Sequence, residues 1–300
     1  MFEKIIKKYS FNEKVFYFMK RKPVVAGSFY PSNPERLKEM IEYCFSHKLG
    51  PKEFRTRSEV VGGIAPHAGY VYSGPCAAWF YSTLKENKTF IIVGPKHTGY
   101  GTPISILTRG EWETPLGTAE IDSEIASYLR DTCPLLKEDW DSHTYEHSIE
   151  VHLPFLQYLF EEVKFIPIVI DSFFFDPKYT KKIGSSIKKA KEEFEDIIVI
   201  ASSDMTHYGP WYGYYPFGLG KNALEKVKEL DLKLLSFAEK CDIDGFWRFY
   251  VENHMSVCGA GPIIVLLAYS EKEGEVLKYY TSAEVTGDYE NFVGYASLVF

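Results

Sequence analysis

Three short apolar runs in this chain each end in a turn that carries histidine. "VVGGIAPHAGY" (60–70) delivers His67, "IIVGPKHTGYG" (91–101) delivers His97, and "IIVIASSDMTHYG" (197–209) delivers Asp204 and His207. Unbroken aliphatic runs of this length mark strands buried on both faces. Such strands belong to sheets covered by helices on both sides. In open α/β sheets, ligands bind beyond the carboxyl ends of the strands, on loops held by a rigid scaffold. Three strands that release His, His and Asp/His therefore point to one shared site.

The rest of the chain supports that architecture. Helical and strand periodicities alternate throughout, with no internal repeat, low-complexity tract or Gly/Ser linker. This predicts one α/β domain with a central mixed β-sheet flanked by helices. Asn33 and Pro34 read as an N-cap and first helical position, followed by Leu37, Met40, Ile41, Cys44 and Phe45 at helical spacing. Further helices are expected over 75–84, 122–129, 177–191, 221–239 and 259–269. Strands are expected over 60–65, 90–93, 104–107, 165–170, 197–202, 276–282 and 295–300.

Composition removes several function classes. Net charge is −7 with no Lys/Arg block, so no nucleic-acid partner is expected. No segment is long and apolar enough to span a membrane, and the first residues scatter charge where a signal peptide would be apolar. The five cysteines are widely spaced and odd in number, without CxxC, which suits reduced thiols and a cytoplasmic location. Aromatic content is high at 16%, enough for both a rich core and an aromatic-lined pocket.

Taken singly, His67 and His97 read more readily as turn histidines bonded to backbone than as ligands. Together, on strand ends, they form a plausible metal pair, because imidazole suits several first-row ions. Cys258, in "HMSVCGAGP", stands at a helix entrance, where the helix dipole favours thiolate. Cys133 and Cys241 lack such a context, and His47 and His254 stand apart. "HTYEHSIEVHLPF" (143–155) is the densest polar cluster, with His143, Glu146, His147, Glu150 and His152. It is not an HExxH motif, and it also reads as the polar start of a helix. His147 or Glu150 could be outer partners that orient a metal-bound imidazole. Asp204 and His207 have the spacing of a carboxylate that orients an acid/base imidazole, or of a local turn. Tyr70 and Tyr72 stand near His67 in sequence.

These segments, in this order, resemble the MEMO family, whose fold is similar to class III extradiol dioxygenases. The matching stretches are "AGSFYP", "APHAGYVYSGPCAA", "VGPKHTGYG", "TPLGTAEID", "EHSIEVHLPF", "ASSDMTHYG" and "CGAGPI". Each is weak alone, but as an ordered set they are specific. The resemblance runs over residues 23–300 and leaves 1–22 as an N-terminal extension without an assigned role.

The resemblance implies a metal centre of His67, His97 and Cys258. In the related dioxygenases a carboxylate takes the third place and the metal is iron(II). Cysteine here shifts the preference toward iron, copper or zinc. It also implies His207 as acid/base, with Asp204 beside it. A eukaryotic family member binds a phosphotyrosine peptide over this pocket. Phe29, Tyr72, Asp204 and His207 match positions implicated there, although Phe29 replaces a tryptophan. Prokaryotic members are commonly encoded near AMMECR-type and radical-SAM proteins, which implies a functional link.

The resulting expectation is one first-row transition metal, foremost iron, held by His67, His97 and Cys258. Phe29, Tyr30, Tyr70 and Tyr72 would rim the pocket, and His147 and Glu150 would support the ligands. The function would be that of a metal-dependent, dioxygenase-like oxidoreductase acting on a small molecule. The rival is a non-catalytic module that binds a peptide or protein partner in the same pocket.

Overall fold

The structure, a computed structural model, describes residues 19–86, 88–172 and 175–300. Residues 1–18 of the expected extension lie outside the described residues. Along the chain the strands are β1 (Lys20–Arg21), β2 (Gly62–Ala65), β3 (Thr89–Lys96), β4 (Ile104–Ile106), β5 (Glu111–Thr114) and β6 (Gly117–Ile121). They continue with β7 (Lys137–Glu138), β8 (Lys164–Asp171), β9 (Ile197–Ser202), β10 (Asp204–Tyr208), β11 (Glu275–Thr281) and β12 (Phe292–Val299). Among the described residues these form one mixed sheet, with main order β1-β5-β6-β8-β3-β9-β2-β12-β10. β11 adds to β12, and β4 bridges β8 and β7.

The centre of the sheet is parallel: β8, β3, β9 and β2 run together. β12 and β10 then close that flank antiparallel. Every residue of β2, β3 and β9 is buried, as their unbroken apolar sequences require.

The longer helices are α1 (Pro34–Ser46), α2 (Tyr70–Tyr81), α3 (Ser123–Thr132), α4 (Pro177–Glu193), α5 (Lys221–Glu239), α6 (Ile243–Glu252) and α7 (Ala260–Ser270). Neighbouring glycines on β2 show how they flank the sheet. A Cβ on Gly62 would collide with Leu266 of α7, and one on Gly63 with Phe80 of α2. Successive strand residues face opposite sides, so α7 and α2 press on opposite faces. Only glycine lets both approach this closely.

Most expected elements form within a few residues of their anticipated ends, including the Asn33 cap and Pro34 start of α1. Two differ for physical reasons. The sequence places the start of α2 at Pro75, after a glycine turn. The helix begins at Tyr70 and carries Pro75 inside. The Tyr70 N–H donates to the Phe29 carbonyl, and burial of most of the helix sustains it through the missing hydrogen bond. The 143–155 cluster is not one helix start. A short helix (Asp141–Thr144) gives way to a turn, then a 3₁₀ segment (Glu150–His152) and a helix (Leu153–Leu159). Among the described residues, no helix is long and apolar enough to cross a membrane.

Candidate metal centre

β2, β9 and β3 are adjacent, and their carboxyl ends open on one side of the sheet. Just beyond β2, the His67 backbone N–H donates to Asp204 Oδ1 at 2.9 Å. The ring Nδ1 lies 2.7 Å from Ser202 Oγ at the end of β9. The Ser202 hydroxyl donates its own proton to the Ser148 carbonyl at 2.7 Å. It can therefore only accept from the ring, so His67 carries its proton on Nδ1. That leaves the Nε2 lone pair free, 3.4 Å from Cys258 Sγ and 3.9 Å from Asp204 Oδ2.

His97 follows β3 directly. Its Nδ1 lies 2.9 Å from Glu146 Oε1, and its backbone N–H donates to Glu146 Oε2 at 2.5 Å. Glu146 reaches β3 because its loop packs on the strand. Ser148 Oγ donates to the Pro95 carbonyl, and a Cβ on Gly94 would strike that same hydroxyl. The glycine that ends the apolar run of β3 is thus the seat of the Glu146 loop. Lys96 is buried, and its ammonium donates to the Tyr100 and Thr102 carbonyls, fixing the His97 turn from below.

Cys258 precedes α7 and is tied to β10 by a bridge between Thr206 and Val257. In a regular strand Asp204 and His207 would face opposite sides. The β10–β12 register slips between them: Asp204 pairs with Tyr295 and His207 with Val293. The extra residue is a bulge, which turns the later side chain back toward the earlier one. Asp204 does not hold the His207 ring by a bond, as its spacing suggested. The ring Nδ1 meets the Ser256 carbonyl at 3.1 Å, and Ser256 Oγ donates to the His207 carbonyl at 2.6 Å. A carbonyl only accepts, so neutral His207 keeps its proton on Nδ1 and bares Nε2. Tyr212 stands edge-on to this ring, with centroids 5.3 Å apart.

Two overlapping donor sets result. The ligand atoms of His67, His97 and His147 lie within 4.8 Å of one another, and so do those of His67, Asp204 and Cys258. His67 belongs to both sets and links His97 to Cys258. His147, expected as an outer partner, lies beside these ligands: its ring stacks on His97 with centroids 4.6 Å apart.

The electrostatics suit a cation. Burial, followed by the neighbouring imidazoles, holds His67 well below the usual histidine range. Burial lowers His147 to about 4 against the pull of Glu146. Both rings are therefore neutral donors near pH 7. Burial would raise Glu146, but its bonds and the imidazoles beside it prevail and hold it at about 2. Burial raises Asp204. Cys258 departs from expectation: burial and the Asp204 charge push its thiol well above the usual range, and the helix entrance does not reverse this. Such a thiol gives up its proton readily only when a cation takes its place.

The expected rim divides. Phe29 sets its ring edge-on to His147, with centroids 4.9 Å apart, and Tyr72 is 41% exposed. Tyr30 and Tyr70 are not rim residues. Both are buried, with hydroxyls bonded to Glu150 Oε1 and the Val151 carbonyl. Buried tyrosines need a partner for the hydroxyl, and these two find theirs below the site.

Glu150 likewise touches neither His67 nor His97. Its oxygens accept from Arg21, the Val24 and Val25 N–H groups and Tyr30. Arg21 also donates to the His143 and Glu146 carbonyls and lies 4.0 Å above the Trp112 ring. Arg21, which precedes the expected start at residue 23, thus braces the Glu146 loop. His143 and His152 are buried supports, bonded to Ser105 and Tyr81. Ser202, Ser256 and Arg21 carry no signal in the sequence, and Glu146 reads there only as one member of the 143–155 cluster. The one visible hint was the acidic residue directly before His147.

A family model described as Memo-like protein matches residues 21–299. MEMO1 family proteins of Methanopyrus kandleri and Desulfurococcus amylolyticus are each 40% identical to this chain, over 295 and 294 residues. Each match covers 94% of this chain and 99% of the relative. A MEMO1 family protein of Thermotoga petrophila is 38% identical over 293 residues, with the same coverage. The crystal structure of the uncharacterized protein JW3007 from Escherichia coli K12 superimposes with a TM-score of 0.53 at 12% identity. That match covers 81% of this chain and 100% of the other, and it is a likeness of fold.

Proposed function

Because the chain belongs to the Memo-like protein family, we propose that it is a metal-binding protein whose pocket performs dioxygenase-like oxidoreductase chemistry on a small molecule. His67, His97 and Cys258 would hold one first-row ion, with iron the leading candidate and copper or zinc the alternatives. The observation that carries this reading is the bare Nε2 of His67, fixed by Ser202 and directed at the Cys258 thiol 3.4 Å away. A buried imidazole, a thiol and a carboxylate meet around one point, and nitrogen with sulfur donors suits these ions.

When bound, the ion would supply Lewis acidity and, if iron or copper, a redox centre. The chain's own residues would do the rest. Ser202 keeps the His67 proton away from the pocket. His207, steadied by Ser256, presents Nε2 to take a proton from a substrate hydroxyl and return it later. Asp204 holds the His67 backbone and adds negative charge near a protonated His207.

The test is elemental analysis of anaerobically purified protein. About one first-row ion per chain is expected, with strong loss in His67→Ala, His97→Ala and Cys258→Ser. Retention of wild-type metal content by all three variants would refute the site. A second reading, a non-catalytic module for a peptide or protein partner, draws support from the exposed aromatic rings of Tyr72, Trp211 and Tyr212. Aromatic side chains of this kind commonly anchor partners.

A further inference from the structure

We propose that Glu146 is the positioning residue of this centre: its buried carboxylate fixes the tautomer and aim of His97. The inference rests on the metal-binding reading and adds a residue that the ligand set does not contain.

The geometry is specific. Glu146 is fully buried. Oε1 receives His97 Nδ1, the His147 N–H and the Ser148 N–H, each at 2.9 Å, while Oε2 receives the His97 N–H at 2.5 Å. The three backbone partners can only donate. With its lone pairs facing donors from both sides, the carboxylate is ionised and acts purely as an acceptor. His97 must then carry its proton on Nδ1, which turns the Nε2 lone pair outward to the side where His67 Nε2 is bared.

The same oxygen holds the backbone of His147 and Ser148. One side chain therefore sets the distance between the β3 turn and the loop whose imidazole stacks on His97. Ser202 does the equivalent for His67 with a neutral hydroxyl. Glu146 does it with a charge, which strengthens the ring's donation to a cation. Side chains that orient a metal-bound imidazole in this way typically change metal affinity about 10- to 100-fold when lost.

The experiment compares wild type, Glu146→Ala and Glu146→Gln. In metal-free protein, long-range ¹H–¹⁵N correlation of the histidine rings reads the His97 tautomer. Wild type should show Nδ1–H. Alanine should release the ring to mixed tautomers. Glutamine, which can keep an acceptor at Oε1, should retain Nδ1–H. Co²⁺ affinity, measured by chelator competition, should fall about 10- to 100-fold in the alanine variant and less in the glutamine variant.

An Nε2–H tautomer in wild type would overturn the proposal whether or not either variant folds. An alanine variant that kept Nδ1–H as fully as wild type would also overturn it, since the carboxylate would then not set the tautomer. If wild type failed to bind Co²⁺ while His97 kept Nδ1–H, the metal reading would fall and the positioning of the ring would stand.

Discussion

His67 Nε2 and Cys258 Sγ lie 3.4 Å apart across 191 residues of sequence. The imidazole is kept neutral by burial, and the thiol is kept protonated by it. Under the proposed metal-binding reading, the pair would take up a cation in exchange for one proton.

That exchange predicts a pH slope. Above about pH 6.5 the rings of His67 and His147 bind no proton to be displaced, because both are shifted downward. The Cys258 proton remains, because its thiol is shifted upward. Metal affinity should rise about tenfold per pH unit from pH 6.5 to 8 in wild type. In Cys258→Ser, which has no such proton to release, the slope should flatten. Zn²⁺ competition titrations at several pH values measure it, and an equal slope in the variant would count against the thiol as ligand.

His207 separates turnover from binding. With iron reconstituted and a panel of aromatic diols, His207→Ala should slow oxygen uptake about 10²- to 10⁴-fold, the usual contribution of a placed proton-transfer group. Iron content should not change, since the His207 ring is held by Ser256 and belongs to neither donor set. No uptake in wild type, together with a peptide or partner that the variant binds less well, would support the binding-module reading instead.

The brace under the site is an energetic claim. Arg21 and Glu150 form a buried ion pair at 2.7 Å, and Arg21 also serves two loop carbonyls. Removing one partner of a buried pair strands the other, at about 3–5 kcal/mol. Arg21→Ala should therefore lower unfolding stability by about that amount in urea titrations. A loss under 1 kcal/mol would show that the brace is dispensable.

Asp231 offers a pH test of stability away from the pocket. It is buried on α5, accepts from Thr206 and Tyr279, and is raised by burial to about 6. Its folded pKa exceeds its unfolded one, so the folded state binds the extra proton. Its contribution should decline as pH rises from about 4 to 6 and level off above that. Two units correspond to about 3 kcal/mol at most. Asp231→Asn should flatten this decline and gain stability at pH 7 relative to pH 4, as followed by denaturant midpoints. An unchanged profile would place the carboxyl's pKa near its ordinary value.

Much of this protein can be read from local sequence. The apolar runs that become β2, β3 and β9 read as buried strands, and the chain just beyond β2 and β3 carries His67 and His97 to the same end of the sheet. Asp204 and His207 fall on a further strand, β10, where a bulge decides their facing. The cap at Asn33 and the helix starting at Lys221 follow from short-range pattern in the same way. Other features depended on which groups meet across long stretches of chain. Tyr30 and Tyr70 had the composition of a pocket rim, but their hydroxyls found partners inside the core. Glu150 looked like support for the metal and instead receives Arg21. Glu146, its neighbour in the same cluster, took the position beside His97. Sequence spacing cannot tell these two carboxylates apart. A buried carboxylate must satisfy whatever donors surround it, and only the packing of the 143–155 loop on β3 decides which donors those are.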